Sequence, residues 1–317
     1  MYKFEKEQIV VQFGDVLIGG QPGQYATTMC GSIFYGGHKL VKDGIEGEFD
    51  KVEAKELLDM EGELCRQFGL QRMPDVVGDT AKALIKYVDF VLENTDSPML
   101  VDSASIATLH ETFRHFSGSS VMDRLVYSPI DVHHADEQFS ALKGLGIKNA
   151  LILAFSPTAV MPEQKLELLL GKEWKTSIEN GIEGNGLISK AKGIGIENLI
   201  VDVGVIDLQG AAWSAISIKL VKEKLGFPAG CAPANALFSW QRNNKDRLKT
   251  PQQTSAAGAA VYSSTVYWGA NFALYGPMRV CDWAYPAIAT TDALVAYGAR
   301  LSGTRPKEKT HPLFNLK

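Results

Sequence analysis

The sequence has little of what marks nucleic-acid-binding or membrane-spanning proteins. Its 32 basic and 36 acidic side chains give a formal net charge of −4, whereas nucleic-acid-binding domains usually carry a basic surface. No uninterrupted apolar stretch approaches the ~18 residues of a membrane span. The amino-terminal segment MYKFEKEQ lacks the apolar core of a signal peptide. We therefore expect a cytoplasmic protein without nucleic acid and without a membrane span.

Cysteine is also scarce among the 317 residues. The four cysteines are Cys30, Cys65, Cys231 and Cys281, and no two of them form a CxxC pair. Such spacing predicts reduced thiols rather than a disulfide framework. No HxC pair is present either, so we do not expect the His-and-two-Cys zinc site of thiol-activating methyltransferases, and we predict no metal.

The chain lacks a Pro/Ser-rich linker or charge run that would divide it, so residues 1–317 are interpreted as one domain. Residues 1–24 are predicted to include a hairpin, because Val10–Gly19 alternates apolar and polar residues, and residues 303–317 are predicted to form a carboxyl-terminal arm. Between them, short apolar runs alternate with longer amphipathic stretches. These runs are Tyr25–Tyr35, Arg72–Val77, Met99–Asp102, Arg124–Ser128, Ala150–Ser156, Leu199–Val205, Gly230–Asn235 and Phe272–Tyr275.

The stretches between the runs carry helix signals. Asp50 and Glu53 form a capping-box pattern, and Asp79 is a candidate cap for the next helix. A third helix is predicted over Trp213–Leu225, with Gly226 as its stop. The segment Pro157–Gly195 exceeds one helix and is predicted to hold two.

Apolar strands that alternate with helices favour parallel pairing with both sheet faces covered. Eight such units in a chain of this length predict a (β/α)8 TIM barrel, which is typically about 250 residues long. The hairpin would then plug the floor of the barrel. A doubly wound open sheet is the alternative that the pattern leaves open.

Polar residues at the strand ends are the first candidates for a site, since reactive groups of TIM barrels cluster at the carboxyl ends of the strands. These candidates are Asp75, Asp102, Ser128, Asp202 and Asn235. A carboxylate can accept two parallel hydrogen bonds from an amino group beside a ring N–H. Pterins and guanine both present such an edge. The alternative is that Asp102 and Asp202 only cap the following helices or bind loop amides.

A family resemblance is carried by four fragments. These are IGGQPGQ at residues 18–24, GSIFY with His38 and Lys39, VDVGVID at residues 201–207, and APANA at residues 232–236. Together they resemble the H subunit of tetrahydromethanopterin S-methyltransferase over roughly residues 3–302. The resemblance extends to soluble bacterial relatives that methylate tetrahydrofolate, and more distantly to dihydropteroate synthases. It implies a pterin-binding TIM barrel, usually homodimeric.

The resemblance also implies roles for single residues. Asp102 and Asp202 match carboxylates that hold the pterin edge, and Asp75 is a further match on the second strand. Asn235 matches an amide that hydrogen-bonds near pterin N5, the methylated atom, and is the candidate catalytic residue. Ser128 stands where the distant relatives have Asn, so it lacks the paired donor and acceptor of an amide.

The corrinoid is expected on a partner protein. Asp131–Asp136 begins like the corrinoid-binding motif DxHxxG, but its sixth residue is Asp136 rather than Gly. The glycine pairs Gly184/Gly186 and Gly193/Gly195 do not complete a GxGxxG after a strand, which disfavours dinucleotide binding. The polar stretch Asn243–Arg247 is interpreted as surface, with contact to a folate tail or the corrinoid partner as the alternative.

The resulting hypothesis is an enzyme that moves a methyl group between a methylated corrinoid protein and N5 of tetrahydrofolate. The demethylation of a methylamine or betaine is the kind of pathway expected. One rival is a tetrahydromethanopterin-specific subunit of a membrane-associated complex. A second is a non-catalytic subunit that docks a corrinoid protein.

Overall fold

The chain forms a closed parallel barrel surrounded by helices in a computed structural model, which describes residues 3–180, 184–244 and 247–316. The strands are β1 (Val10–Phe13), β2 (Val16–Gly19), β3 (Thr28–Ile33), β4 (Val41–Asp43), β5 (Glu48–Phe49), β6 (Gln71–Arg72), β7 (Asp75–Val77), β8 (Met99–Asp102), β9 (Leu125–Ile130), β10 (Asn149–Leu153), β11 (Asn198–Asp202), β12 (Ala229–Cys231) and β13 (Phe272–Pro277). The helices are α1 (Lys51–Phe68), α2 (Ala81–Asn94), α3 (Ile106–Phe116), α4 (Asp136–Leu142), α5 (Pro162–Leu170), α6 (Trp174–Asn180), α7 (Leu187–Gly193), α8 (Leu208–Leu225), α9 (Pro233–Asn243), α10 (Pro251–Tyr267), α11 (Cys281–Ala299) and α12 (Pro312–Asn315).

The barrel closes because its last strand returns to its first. The strands pair in the order β3, β7, β8, β9, β10, β11, β12, β13, and β13 then pairs with β3; every one of these pairings is parallel. Strand β6 also pairs with β3 and forms, with β7, one interrupted barrel strand. The predicted TIM barrel is confirmed, and the open doubly wound sheet is excluded.

The predicted amino-terminal hairpin is present as the antiparallel pair β1 and β2. Its Val11, Phe13, Val16 and Ile18 are buried in one cluster with apolar side chains from the early positions of the barrel strands. Burial of this apolar face stabilises the hairpin against the barrel interior. The hairpin therefore fills the amino-terminal end and leaves the carboxyl-terminal end open.

Helix boundaries follow local signals in the sequence. Asp50 caps α1 by accepting from the amides of Val52 and Glu53, and the helix ends at Gly69 in the left-handed conformation that glycine adopts without a Cβ penalty. For α2 the cap is Thr80, whose Oγ1 accepts from Ala83 N, so the prediction of Asp79 was wrong by one residue.

Two other predictions of secondary structure need correction. The segment between β10 and β11 holds three helices, α5, α6 and α7, rather than two, although residues 181–183 lie outside the described ranges. Helix α8 begins at Leu208, because Asp207 caps it, and ends at Gly226 as predicted. The carboxyl-terminal segment packs its short helix α12 against α1 and α11. Within the described ranges, no helix combines the length and apolar character needed to cross a membrane.

Candidate active site

A cavity of about 1220 Å³ opens at the carboxyl-terminal end of the barrel. Three of the five predicted site residues line it, namely Asp75, Asp202 and Asn235. Its other walls come from the ends of β3, β10 and β13 and from α9. The remaining lining residues in the described part of the chain are Ser32, Leu153, Phe155, Pro157, Gly204, Val205, Ile206, Ala232, Ala234, Phe238, Ser239, Gln241, Arg242, Leu274 and Gly276.

Asp75 is buried on β7 at one side of the cavity. Ser32 Oγ donates to its Oδ2 at 2.6 Å, because β3 and β7 pair with Ser32 opposite Asp75. Its Oδ1 is buried with no hydrogen-bond partner among the described residues. Burial raises the pKa of Asp75, while the Ser32 bond opposes the rise. Since an unpaired buried acceptor is costly, this oxygen is suited to a ligand donor.

Asp102 and Ser128 form a second polar pair beside Asp75. They lie opposite each other on β8 and β9, and Ser128 Oγ donates to Asp102 Oδ2 at 2.9 Å. Burial, and then the negative charge of Asp75, raise the pKa of Asp102 well above its ordinary value. Neither residue is among the cavity-lining residues of the described ranges, so this pair supports the site from one side.

Asp202 is the last residue of β11 and is 6% exposed. The amide of Gly204 donates to its Oδ1 at 2.6 Å. Burial raises the pKa of Asp202 to about 6, against the lowering effect of that amide and of Lys165. Helices α3 and α8 are capped by Ser105 and Asp207, so neither Asp102 nor Asp202 is a helix cap.

Asn235 does not sit at the end of a strand as predicted. Strand β12 ends at Cys231, and Pro233 starts α9 at a position where its missing N–H costs nothing. Asn235 therefore lies in the first turn of α9. Its side chain is exposed at the cavity, and its Nδ2 donates to the carbonyl oxygen of Val205 at 3.3 Å.

The sequence reasoning missed a buried lysine behind Asp202. Lys165 of α5 is 2% exposed, and its Nζ donates to the carbonyl oxygen of Gly204 at 3.3 Å. Burial lowers its pKa to about 8, and Asp202 opposes that shift. One signal was available: Lys165 is four residues before the buried Leu169, on the apolar face of its helix. Ser32, in the GSIFY fragment, was missed because its role depends on the β3–β7 register.

The stretch that begins like a corrinoid motif is used within the protein. Asp131 Oδ1 lies 3.0 Å from His134 Nδ1, and His134 Nε2 lies 3.0 Å from Tyr127 Oη. Both ring nitrogens of the buried His134 are thus engaged. His133 stands at the position of the histidine in the DxHxxG motif, and Asp131 stands at the position of its aspartate. Asp131 binds the ring of His134 and the backbone amide of His133 rather than the ring of His133.

The four cysteines are free thiols. In the described ranges, no three His, Cys, Asp or Glu side chains are grouped as metal ligands. Lys245 and Asp246, in the middle of the polar stretch that follows α9, lie outside the described residues.

The arrangement combines buried acceptors at the base of a cavity with an amide on its wall. Carboxylates in a site of low polarity bind N–H donors more strongly than they would in water. A planar heterocycle that presents an amino group beside a ring N–H matches those acceptors.

Solved structures with the same fold include dihydropteroate synthases. The enzyme from Yersinia pestis, solved with a pterin–sulfa conjugate, has a TM-score of 0.57 at 11% identity and covers 90% of this chain and 98% of its own. The Coxiella burnetii enzyme, solved with pteroic acid, has a TM-score of 0.57 at 12% identity and covers 94% and 100%. The fold that this chain shares with these enzymes is the TIM barrel.

The family is shown by a match over nearly the whole chain. The profile of the tetrahydromethanopterin S-methyltransferase MtrH subunit matches residues 6–307. The MtrH protein of Methanopyrus kandleri is 34% identical over 97% of both chains, and that of Methanothermobacter marburgensis is 32% identical over the full length of both. The chain belongs to the MtrH family, whose methyltransferases act between a corrinoid and a pterin.

Proposed function

We propose that this protein transfers a methyl group between a methylated corrinoid, carried by a partner protein, and N5 of a tetrahydropterin. The observation that carries the proposal is the unpaired, buried Oδ1 of Asp75, at the same cavity as Asp202. Together with membership of the MtrH family, this favours a ligand that brings N–H donors into the barrel mouth.

The carboxyl groups would hold the pterin by its amino-pyrimidine edge. Asp202 has Oδ2 available for this, because Gly204 N occupies its Oδ1. Asp75 has Oδ1 available, because Ser32 occupies its Oδ2. Asp102, which accepts a hydrogen bond from Ser128 Oγ, lies beside these two carboxyl groups, and its raised pKa favours the neutral form. Ligand donors favour the ionised form of both lining carboxyl groups, so pterin binding should lower their pKa values.

Asn235 is proposed as the residue next to N5. During methylation the lone pair of N5 forms the bond to the methyl carbon, and the N5 proton passes to water at the open mouth of the cavity. The corrinoid supplies an electrophilic methyl group, and its cobalt keeps the electron pair of the broken bond. The Asn235 amide can donate to N5 or, after rotation, accept from protonated N5, so it can stabilise the charge that develops there. The remaining task of the site is to hold N5 in line with the methyl group.

A partner protein is proposed as the carrier of the corrinoid. The altered motif supports this: its sixth residue is Asp136 rather than Gly, and Asp131 binds the ring of His134 and the backbone amide of His133 rather than the His133 ring. The open mouth of the cavity, with exposed Ile206 and Phe238 at its edge, suits the approach of a carrier. A homodimer and a cytoplasmic location also remain proposals from the sequence.

Tetrahydromethanopterin is the acceptor that the names of the relatives support better. Tetrahydrofolate, the acceptor expected from the sequence, is the second candidate, because it presents the same pterin edge and the same N5 to the carboxyl groups. The original methyl donor of the pathway, a methylamine or betaine in the sequence hypothesis, is not part of this site.

The test is a titration of the purified protein with each tetrahydropterin, followed by single-turnover transfer from methylcobalamin. We expect saturable binding of at least one pterin and formation of its N5-methyl product. Binding without transfer, even with a corrinoid carrier protein present, would support the docking-subunit alternative. Absence of binding to both pterins would refute the proposal.

A further inference from the structure

The cavity has charges of opposite sign at two different places. Its base carries the carboxyl groups of Asp75 and Asp202, whereas its wall carries the guanidinium of Arg242 in the last turn of α9. Arg242 is exposed, and no other cavity-lining residue of the described ranges is positively charged. No ion pair to Arg242 occurs within those ranges. A ligand that fills this cavity therefore meets acceptors at one end and a cation at the other.

One face of α9 connects the two ends. Asn235, Phe238 and Arg242 all line the cavity, and their spacing of three and then four residues puts them on one side of a helix. At 1.5 Å of rise per residue, Asn235 and Arg242 are separated along the helix by roughly 10 Å. The face thus presents, in order, an amide, an aromatic ring and a guanidinium.

Contacts with neighbouring elements hold this helix in place. Gln241 Nε2 donates to Thr254 Oγ1 of α10 at 3.0 Å. On the barrel side, Gly276 has a φ of +88°, and a Cβ there would lie 3.1 Å from Phe238 Cε2 and 2.7 Å from Ala234 Cβ. The close approach of β13 requires glycine at this position. The fold therefore fixes the position of this face of α9 at the cavity wall.

We propose that Arg242 binds an anionic group on the tail of the tetrahydropterin, while Phe238 packs against the aromatic ring that joins this tail to the pterin. The inference rests on the proposed function and names a further part of the same site. In tetrahydrofolate the first carboxylate follows the aminobenzoyl ring, at a span from N5 comparable with the helix distance. A guanidinium can bind such a carboxylate through two parallel hydrogen bonds.

The test compares a pterin that has a tail with one that lacks it. The probes are tetrahydrofolate and 6-methyltetrahydropterin, titrated against the wild type, Arg242→Gln and Arg242→Lys. Arg66→Gln is the matched control, because Arg66 is exposed on α1 and does not line the cavity. Thermal unfolding of each variant checks that it is folded.

We expect Arg242→Gln to weaken tetrahydrofolate binding roughly 5- to 10-fold, the scale of a solvent-exposed charged pair with good geometry. The affinity of Arg242→Gln for 6-methyltetrahydropterin should stay within about twofold of the wild-type affinity, because only the tail contact is lost. Arg242→Lys should recover part of the affinity, and added salt should weaken tetrahydrofolate binding by the wild type more than by Arg242→Gln. Arg66→Gln should behave as the wild type.

Other outcomes separate this inference from the proposed function. If the wild type binds 6-methyltetrahydropterin and Arg242→Gln has no selective effect on tetrahydrofolate, the tail contact is refuted and the proposed function stands. The same holds if tetrahydrofolate does not bind at all while the tail-less pterin does. If Arg242→Gln slows only the transfer from a corrinoid carrier protein, Arg242 contacts the partner and the inference is wrong. If neither pterin binds the wild type, both proposals fail.

Discussion

Asp202→Asn is the substitution that best separates ligand recognition from a structural role. The change keeps the size of the side chain and an oxygen that can accept from Gly204 N, which now donates at 2.6 Å. It removes the charge and replaces the outer acceptor, Oδ2, with a donor. A structural Asp202 would tolerate the change, whereas a pterin-binding Asp202 would not.

The expected loss of affinity follows from the bonds at stake. A hydrogen bond to a charged group contributes about 1.5–3 kcal/mol, and a buried mismatch of two donors adds to the loss. Pterin affinity should therefore fall at least roughly tenfold, since 1.4 kcal/mol corresponds to a factor of ten. The effect should be similar for any tetrahydropterin that binds, because the contact is to the ring edge.

Stability should change in the opposite direction. The pKa of Asp202 rises from 3.8 to about 6 on burial, so keeping it ionised at neutral pH costs the folded protein about 3 kcal/mol. A carboxyl group with a raised pKa in the folded state lowers stability as the pH rises from about 4 to about 6. Asp202→Asn removes this penalty, so its unfolding free energy at pH 7 should equal or exceed that of the wild type.

Calorimetric titration with pterin, together with thermal unfolding at pH 7, measures both quantities. Asp207→Asn is the matched control, because Asp207 accepts from Gly210 N at 2.6 Å as the cap of α8, and Asn caps helices equally well. The control should leave pterin affinity unchanged. Wild-type affinity in a folded Asp202→Asn variant would refute the assignment of Asp202 to the pterin edge.

The remaining predictions concern the amide, the pH dependence and the corrinoid. Asn235→Ala should lower single-turnover transfer to the bound pterin by roughly tenfold to a thousandfold, more than it weakens affinity, because the amide acts on charge that develops at N5; a wild-type rate per folded molecule would remove Asn235 from the mechanism. Pterin affinity should fall as the pH drops through about 6, where Asp75 and Asp202 both become protonated, and Asp202→Asn should make this fall less steep because one of the two groups is removed; a profile as steep in the variant as in the wild type would exclude Asp202 from the titration. The isolated protein, incubated with hydroxocobalamin, should carry no corrinoid spectrum after gel filtration, and a stoichiometric spectrum would contradict a corrinoid held on a partner.

Much of the site's composition could be predicted from the sequence, because a parallel barrel brings the ends of its strands together. Asp102 is the last residue of β8, as the run Met99–Asp102 predicted, whereas β11 ends at Asp202, three residues before the end of the predicted run Leu199–Val205. The position of Asn235 was less accurate. The apolar run beginning at Gly230 continues into α9, and periodicity alone cannot separate a short strand from the buried start of a helix.

The sequence by itself determined the alternation of strands and helices and most of the helix boundaries, because those depend on local periodicity and capping. It favoured a TIM barrel over an open sheet, but the pairing of the last strand with the first, which closes the barrel, is a tertiary contact. Only the tertiary structure decided which polar groups face each other. The contact between Ser32 and Asp75 depends on the β3–β7 register, and Lys165 lies behind Asp202 because α5 packs against α8. The open acceptor of Asp75 and the place of Arg242 on the cavity wall arise in the same way. Such pairings join segments far apart in the chain, and no local pattern encodes the distance between them.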